Sequence, residues 1–185
     1  MKKFMIPIIF VFVVIFMVTF TLYFTNHIGI SKSRIEKDAR ASQAISEDWD
    51  VAKETTETMS AMIFYSNDFN DYTYSIYIKK PGLYFGYFFR LGGSEFNIER
   101  GVAKISIEGH KEYAFISMNK QQINKVDIDD GNSIKFIEFD SKKPFVFILP
   151  DNTKKVTLYD INGNVIDEFL IEDVKGVKGT GLLTS

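Results

Sequence analysis

The chain contains no cysteine. That excludes a disulfide framework, a thiolate metal site, a cysteine nucleophile and a lipid-modified cysteine. Histidine is almost as scarce, with only His27 and His110, so a multi-histidine metal centre cannot be built within one chain. An excess of basic charge is missing too: 22 Lys and Arg stand against 24 Asp and Glu, which gives no general electrostatic reason to bind nucleic acid. No Gly-x-Ser-x-Gly, phosphate loop, His-Glu-x-x-His or dinucleotide fingerprint occurs. Two distant carboxylates can converge without leaving a motif, so a cell-envelope glycan hydrolase stands as an alternative to a chain without catalysis. No cofactor is expected.

Charge is absent altogether over residues 4–24. As a helix this run would cover about 30 Å, the thickness of a bilayer's hydrocarbon core. Lys2 and Lys3 precede it, and the residues after it, from Thr25 to Ile30, offer no small-x-small cleavage site. The expectation is a cytoplasmic tail at 1–3 and a retained transmembrane signal-anchor at 4–24, with the remainder extracytoplasmic. Lys32, Arg34, Lys37 and Arg40 lie on the far side and compete with Lys2 and Lys3 in setting orientation. Cations at a helix start oppose its dipole, so their expected place is at anionic headgroups on the membrane surface.

Residues 25–60 read as a juxtamembrane amphipathic helix. Ser33-Arg34-Ile35-Glu36 has the form of a capping box. Ile35, Ala39, Ser42, Ile45, Trp49, Ala52, Thr56, Met59 and Ile63 then recur every three or four positions on one stripe. The stripe can pack on the following domain, pair with a second copy through Ile45 and Trp49, or lie on lipid. Its small polar members make a poor coiled-coil seam.

Beyond residue 60 the period changes to two. Strands are expected at 61–65, 72–78, 83–90, 94–99, 102–108, 112–118, 123–128, 134–139, 145–149, 155–161 and 165–171. Turn chemistry separates them: Pro81-Gly82, Gly109-His110, Asp130-Gly131-Asn132 and Asn162-Gly163. With 18 Phe and 9 Tyr there is ample core material. The fold class is therefore mainly β: a transmembrane helix, an amphipathic connecting helix, then an antiparallel β-sandwich over 61–172, immunoglobulin-like toward the carboxyl end. The glycine-rich stretch 173–185 reads as a flexible tail.

Two constellations invite a functional reading. Tyr72, Tyr74, Tyr77, Tyr84 and Phe88 belong to an aromatic-rich stretch that could present a partner-binding platform, although core packing explains the same residues. Asp127, Asp129 and Glu138 invite comparison with a calcium loop, but the match fails where geometry is strict, since the glycine falls one position early and strands flank the loop, and a hairpin turn explains the same residues. The functional expectation is a membrane-anchored binding or accessory module for a protein or envelope-polymer partner. The alternative is an assembly subunit that self-associates through its juxtamembrane helix.

Overall fold

A computed structural model describes residues 2–24, 27–82, 84–94, 98, 101–166 and 171–176. Helix α1 spans Lys2–Phe24. A single 3₁₀ turn, Lys32–Arg34, leads into the short helix α2, Ile35–Ser42. Eleven strands follow. Counting only residues whose side chains are described, which in α1 are 8–22, no helix is long and apolar enough to cross a membrane.

The strands form three sheets. Sheet I is an antiparallel meander of β1 (Asp50–Thr55), β2 (Met59–Tyr65), β3 (Tyr72–Ile78) and β4 (Phe88–Gly93). Sheet II has the order β11-β5-β6-β9, from β5 (Val102–Ile107), β6 (Glu112–Ser117), β9 (Phe145–Pro150) and β11 (Ile171–Gly176). Sheet III is β10-β7-β8, from β7 (Ile123–Asp129), β8 (Ile134–Glu138) and β10 (Lys155–Asp160). Every named pairing is antiparallel except β11 with β5.

The alternation of side chains along each strand builds a stack of layers. Met59, Ala61, Ile63, Tyr74 and Ile76 of sheet I meet Ala103, Ile105, Ala114, Ile116, Val146 and Ile148 of sheet II. The opposite parity of sheet II, with Val102, Phe115, Phe145, Phe147 and Leu149, packs on Val126, Ile128 and Leu158 of sheet III. The other side of sheet I, carrying Met62, Phe64 and Tyr77, is covered by Ile35 and Ala39 of α2. Sheets I and II are thus apolar on both faces, and β2 and β9 are buried along nearly their whole length.

The expected helix over 25–60 needs correction. It ends at Ser42, Ala44 takes a left-handed φ of 53°, and residues 50–55 form β1. The helical spacing of Ala52, Thr56 and Met59 arises by coincidence: Ala52 is a half-buried residue of β1, Thr56 lies in the turn that follows, and Met59 opens β2. Val51 and Thr55 are β-branched, and pairing with β2 gives β1's backbone its hydrogen bonds. Ile45 and Trp49, both half-buried, pack against the cluster between α2 and sheet I.

Arg40 also leaves the role expected of it. Its Nε donates to Glu36 at 3.2 Å, and its terminal nitrogens donate to the carbonyls of Ser46 (2.9 Å) and Trp49 (3.0 Å), with the guanidinium 5.0 Å from the Phe64 ring centroid. It ties α2 to the turn before β1. Lys32, Arg34 and Lys37 remain exposed, and Lys32 pairs loosely with Glu57 at 3.5 Å. Gln43 fastens the end of α2 to β3, receiving Thr73 Oγ1 at 2.6 Å and donating to the Tyr74 carbonyl at 3.3 Å.

Strand 72–78 has the bounds expected from the sequence. Strand 83–90 is shifted: β4 starts at Phe88, and Leu83 lies outside the described residues. Most of 94–99 lies outside them as well, though Ile98 is fully buried in the first core cluster. The segment 173–185 begins within β11, and 177–185 lies outside the described residues.

Candidate functional site at the helix-domain junction

Only Thr25 and Asn26 separate α1 from His27, whose N–H donates back to the Leu22 carbonyl at 2.9 Å. From there the chain is stitched to the segment preceding β4. Phe85 N–H donates to the His27 carbonyl at 2.8 Å, and Gly29 N–H donates to the Phe85 carbonyl at 2.6 Å. Ile30 and Tyr87 exchange bonds of 2.7 and 2.8 Å. Two glycines permit this approach. A Cβ on Gly29 would lie 2.5 Å from the Tyr87 carbonyl oxygen, and Gly86, at φ +88°, would meet the Ile30 carbonyl at 2.8 Å. The helix therefore runs into a backbone clamp on the β-domain.

Aromatic rings and cations gather around the clamp. His27 stacks on Tyr84 with centroids 4.5 Å apart and planes 6° from parallel, and Phe88 meets Tyr84 edge-on at 5.9 Å. The Lys80 ammonium sits 4.5 Å from the Phe88 centroid and 5.3 Å from that of Tyr84. Lys79 lies 5.1 Å from the Tyr87 ring, whose hydroxyl donates to the Thr56 carbonyl at 2.6 Å. Phe85 stands 55% exposed.

Beside this cluster a cavity of about 380 Å³ opens between the β3–β4 connection and the β5–β6 turn. Lys79, Lys80, Tyr84, Arg90, Glu108 and His110 are among its lining residues. Arg90 Nε is buried and has no hydrogen-bond partner among the described residues. His110 Nε2 is 3.6 Å from Glu112 and 3.4 Å from Thr58 Oγ1, yet burial outweighs the neighbouring carboxylate and pushes its pKa below the ordinary histidine value. At neutral pH it brings no charge.

Below the turn, Glu112 accepts hydrogen bonds from Thr56 Oγ1 at 2.7 Å and from Thr58 Oγ1. Glu54 of β1 accepts the Ile148 N–H at 2.8 Å, so a side chain of sheet I satisfies a backbone donor in edge strand β9 of sheet II. Burial raises the Glu54 pKa above its ordinary 4.5, and the Glu112 charge adds to the effect. Its folded form favours the protonated carboxyl, so this contribution is present below pH 4.5 and is lost as pH rises through the raised value. Glu54→Gln, which keeps an acceptor and loses the charge, is expected to be neutral to stabilising at pH 7. Glu54→Ala strands the amide and should cost about 1–3 kcal/mol. Urea unfolding at pH 7 and pH 4 checks both signs.

The structure scatters the sequence-level candidates. Tyr74 belongs to the core between sheets I and II, while Tyr77 lies under α2 and donates to Asp38 at 2.7 Å; burial first and Asp38 second push its hydroxyl far above the usual tyrosine range. Tyr72 packs at the edge of the core. Only Tyr84 and Phe88 meet, at the clamp. Tyr87 is buried while Phe85 and Phe89, two residues to either side, stay exposed, and Gly86 between Phe85 and Tyr87 takes a φ of +88°.

Asp127 pairs with Lys125 at 2.9 Å, and Asp129 accepts the Gly131 N–H at 2.7 Å. Glu138 faces Lys125 across the ladder, which puts a cation between the would-be ligands. Asp130 caps the turn through the N–H groups of Asn132 and Ser133, which draw its pKa down to about 2. Among the described residues no group of three or more His, Cys, Asp or Glu could hold a metal ion. The candidate carboxylates thus serve a hairpin and the candidate aromatics divide between core and clamp, while a cationic cavity that sequence reading missed lies beside the clamp. Its one local signal was Lys79-Lys80-Pro81-Gly82 beside Tyr84, and the pairing with Arg90 and His110 depends on two separate hairpins. No protein family, characterised protein or solved structure matches this chain.

Proposed function

We propose that α1 crosses a bilayer as an uncleaved anchor and holds the β-domain against the outer surface as a non-catalytic binding module for an envelope partner. The clamp between residues 27–30 and 85–87 carries this reading, because it leaves no long tether between helix and domain. Whatever the domain engages must therefore lie within one domain's reach of the membrane.

Three further observations support it. Large hydrophobics at 8–18 and Phe20 are exposed without an intervening polar face, including Phe10, Phe12 and Phe16 at 68–69%. The hydroxyls of Thr19 and Thr21 donate to the carbonyls of Ile15 and Met17, each at 2.8 Å, which satisfies them without water. The cluster of Lys80, Tyr84, Phe85 and Phe88 suits the headgroup level, where aromatic and cationic side chains anchor a membrane protein. Toward the carboxyl end, the packing of β5, β6 and β9 on β7, β8 and β10 supports an immunoglobulin-like reading of this half, an architecture well suited to presenting loops.

The absence of cysteine makes sidedness directly measurable. In intact cells a membrane-impermeant maleimide should label Asn132→Cys, while Lys3→Cys should react only after lysis. The reverse pattern would overturn the orientation, and recovery of the chain in the soluble fraction would overturn the anchor. Turnover of cell-wall glycan by the full chain would replace the binding module with the hydrolase.

A further inference from the structure

We propose that the cavity beside the clamp is a phosphate site, taking a phosphomonoester or phosphodiester group presented at the membrane surface. The inference deepens the binding reading above by naming the chemistry recognised.

The lining is asymmetric in charge. Lys79, Lys80 and Arg90 contribute three cations against the single carboxylate of Glu108, which is exposed and has a partner of its own. His110 is kept neutral by burial although the Glu112 carboxylate lies 3.6 Å away. The cations have different surroundings. Lys80 rests on the faces of Phe88 and Tyr84, and Lys79 lies over Tyr87 with a loose contact to Glu57 at 3.7 Å. Those aromatic walls position the ammonium groups without neutralising them.

Arg90 supplies the decisive feature. Its guanidinium lines the cavity while its Nε is too buried for a ligand to touch as it stands and carries the cost of an unmade hydrogen bond, a cost that an anion drawing the guanidinium toward the opening would remove. A tetrahedral phosphate has acceptors for an arginine fork and for two ammonium groups at once, whereas a lone carboxylate has only two oxygens. The volume of about 380 Å³ leaves room for a substituent on the phosphate. A lipid headgroup and a phosphate carried by an envelope polymer or a small solute share this chemistry.

The test uses the full chain in maltoside micelles, which contain no phosphate. Inorganic phosphate and glycerol phosphate are titrated by calorimetry, and short-chain phosphatidylglycerol is added in a parallel series, with the Arg90 Nε–H resonance followed by NMR. Saturable binding of the soluble probes with a shift of that resonance supports the site and a non-lipid source. Saturation by the lipid alone supports the site and a headgroup source.

Lys80→Gln, at an exposed position, and Arg90→Gln should each weaken binding about tenfold, the scale of a lost charge-assisted hydrogen bond. If Arg90→Gln does not fold, the lysine variant and the wild-type resonance decide. No saturation in either series, or saturation unchanged in Lys80→Gln with no Arg90 shift, overturns the proposal. Failure here with outward labelling of Asn132→Cys removes only the phosphate site. Cytoplasmic labelling with intact phosphate binding removes only the outward orientation.

Discussion

Gly86→Val is expected to free the β-domain from α1 while leaving the three sheets assembled. At φ +88° a branched side chain is strained by about 1–3 kcal/mol. Its Cβ would also press on the Ile30 carbonyl at 2.8 Å, a backbone atom that cannot rotate away. The four hydrogen bonds joining residues 27–30 to 85–87 are the structure that must yield. Since about 1.4 kcal/mol is a factor of ten in an equilibrium, opening of the clamp should become at least about tenfold more frequent.

Hydrogen exchange at Gly29, Ile30, Phe85 and Tyr87 should accelerate accordingly, with β2 and β9 unaffected. Gly82→Ala is the control: φ is +90° there too, but nothing lies within 4 Å of its Cβ, so strain is present without the clash. Unchanged protection at the four amides in Gly86→Val would show that the helix is held by something else.

Phe147→Ala should cost about 3–5 kcal/mol, a large part of a domain's typical stability. Phe147 is 1% exposed, stacks on Phe115 at 4.6 Å, and lies 5.7 and 5.9 Å from Phe139 and Phe145. Its neighbour Ile148 points the other way, into the core shared with sheet I. In a two-layer sandwich one of these adjacent residues would face solvent and tolerate truncation. In the stack described here both are buried, so Ile148→Ala should also be costly, at about 2–5 kcal/mol. Phe136→Ala, at a position 65% exposed, should stay within about 0.5 kcal/mol. Denaturant unfolding of the three variants distinguishes two layers from three.

The local elements were legible where one physical rule acted alone. Strand 72–78 and the turn at Asn162-Gly163 follow from alternation and turn chemistry, and Gly163 adopts the positive φ such a turn needs, but among the described residues only the single bridge from Tyr159 to Val165 follows that turn, and residue 171 of the expected strand 165–171 opens β11 beside β5. Two rules competed at 35–63, where helical spacing was read through Ser42 although Ala44 had already broken the helix. The mainly β class with antiparallel sheets was readable, but the third layer was not. Continuous burial of 145–149 looks the same in sequence whether a sheet or a helix supplies the second cover. The cavity was illegible for a related reason: Arg90 lies in β4 of sheet I and His110 in the turn joining β5 to β6 of sheet II, and only tertiary packing brings them to one opening.

The pairing of β11 with β5 has a consequence for the order in which the chain matures. Strand β5 begins at Val102, but its second neighbour arrives only with Ile171–Gly176. Sheet I can close from contiguous hairpins as soon as residue 93 is available, whereas one margin of sheet II stays open until residues 171–176 have been made. During that interval Val102–Ile107 offers unpaired backbone beside apolar side chains, the exposure that invites pairing with a foreign strand. A chain interrupted before residue 171 would keep that edge permanently, so late truncations should be recovered as aggregates instead of as slightly shorter folded proteins.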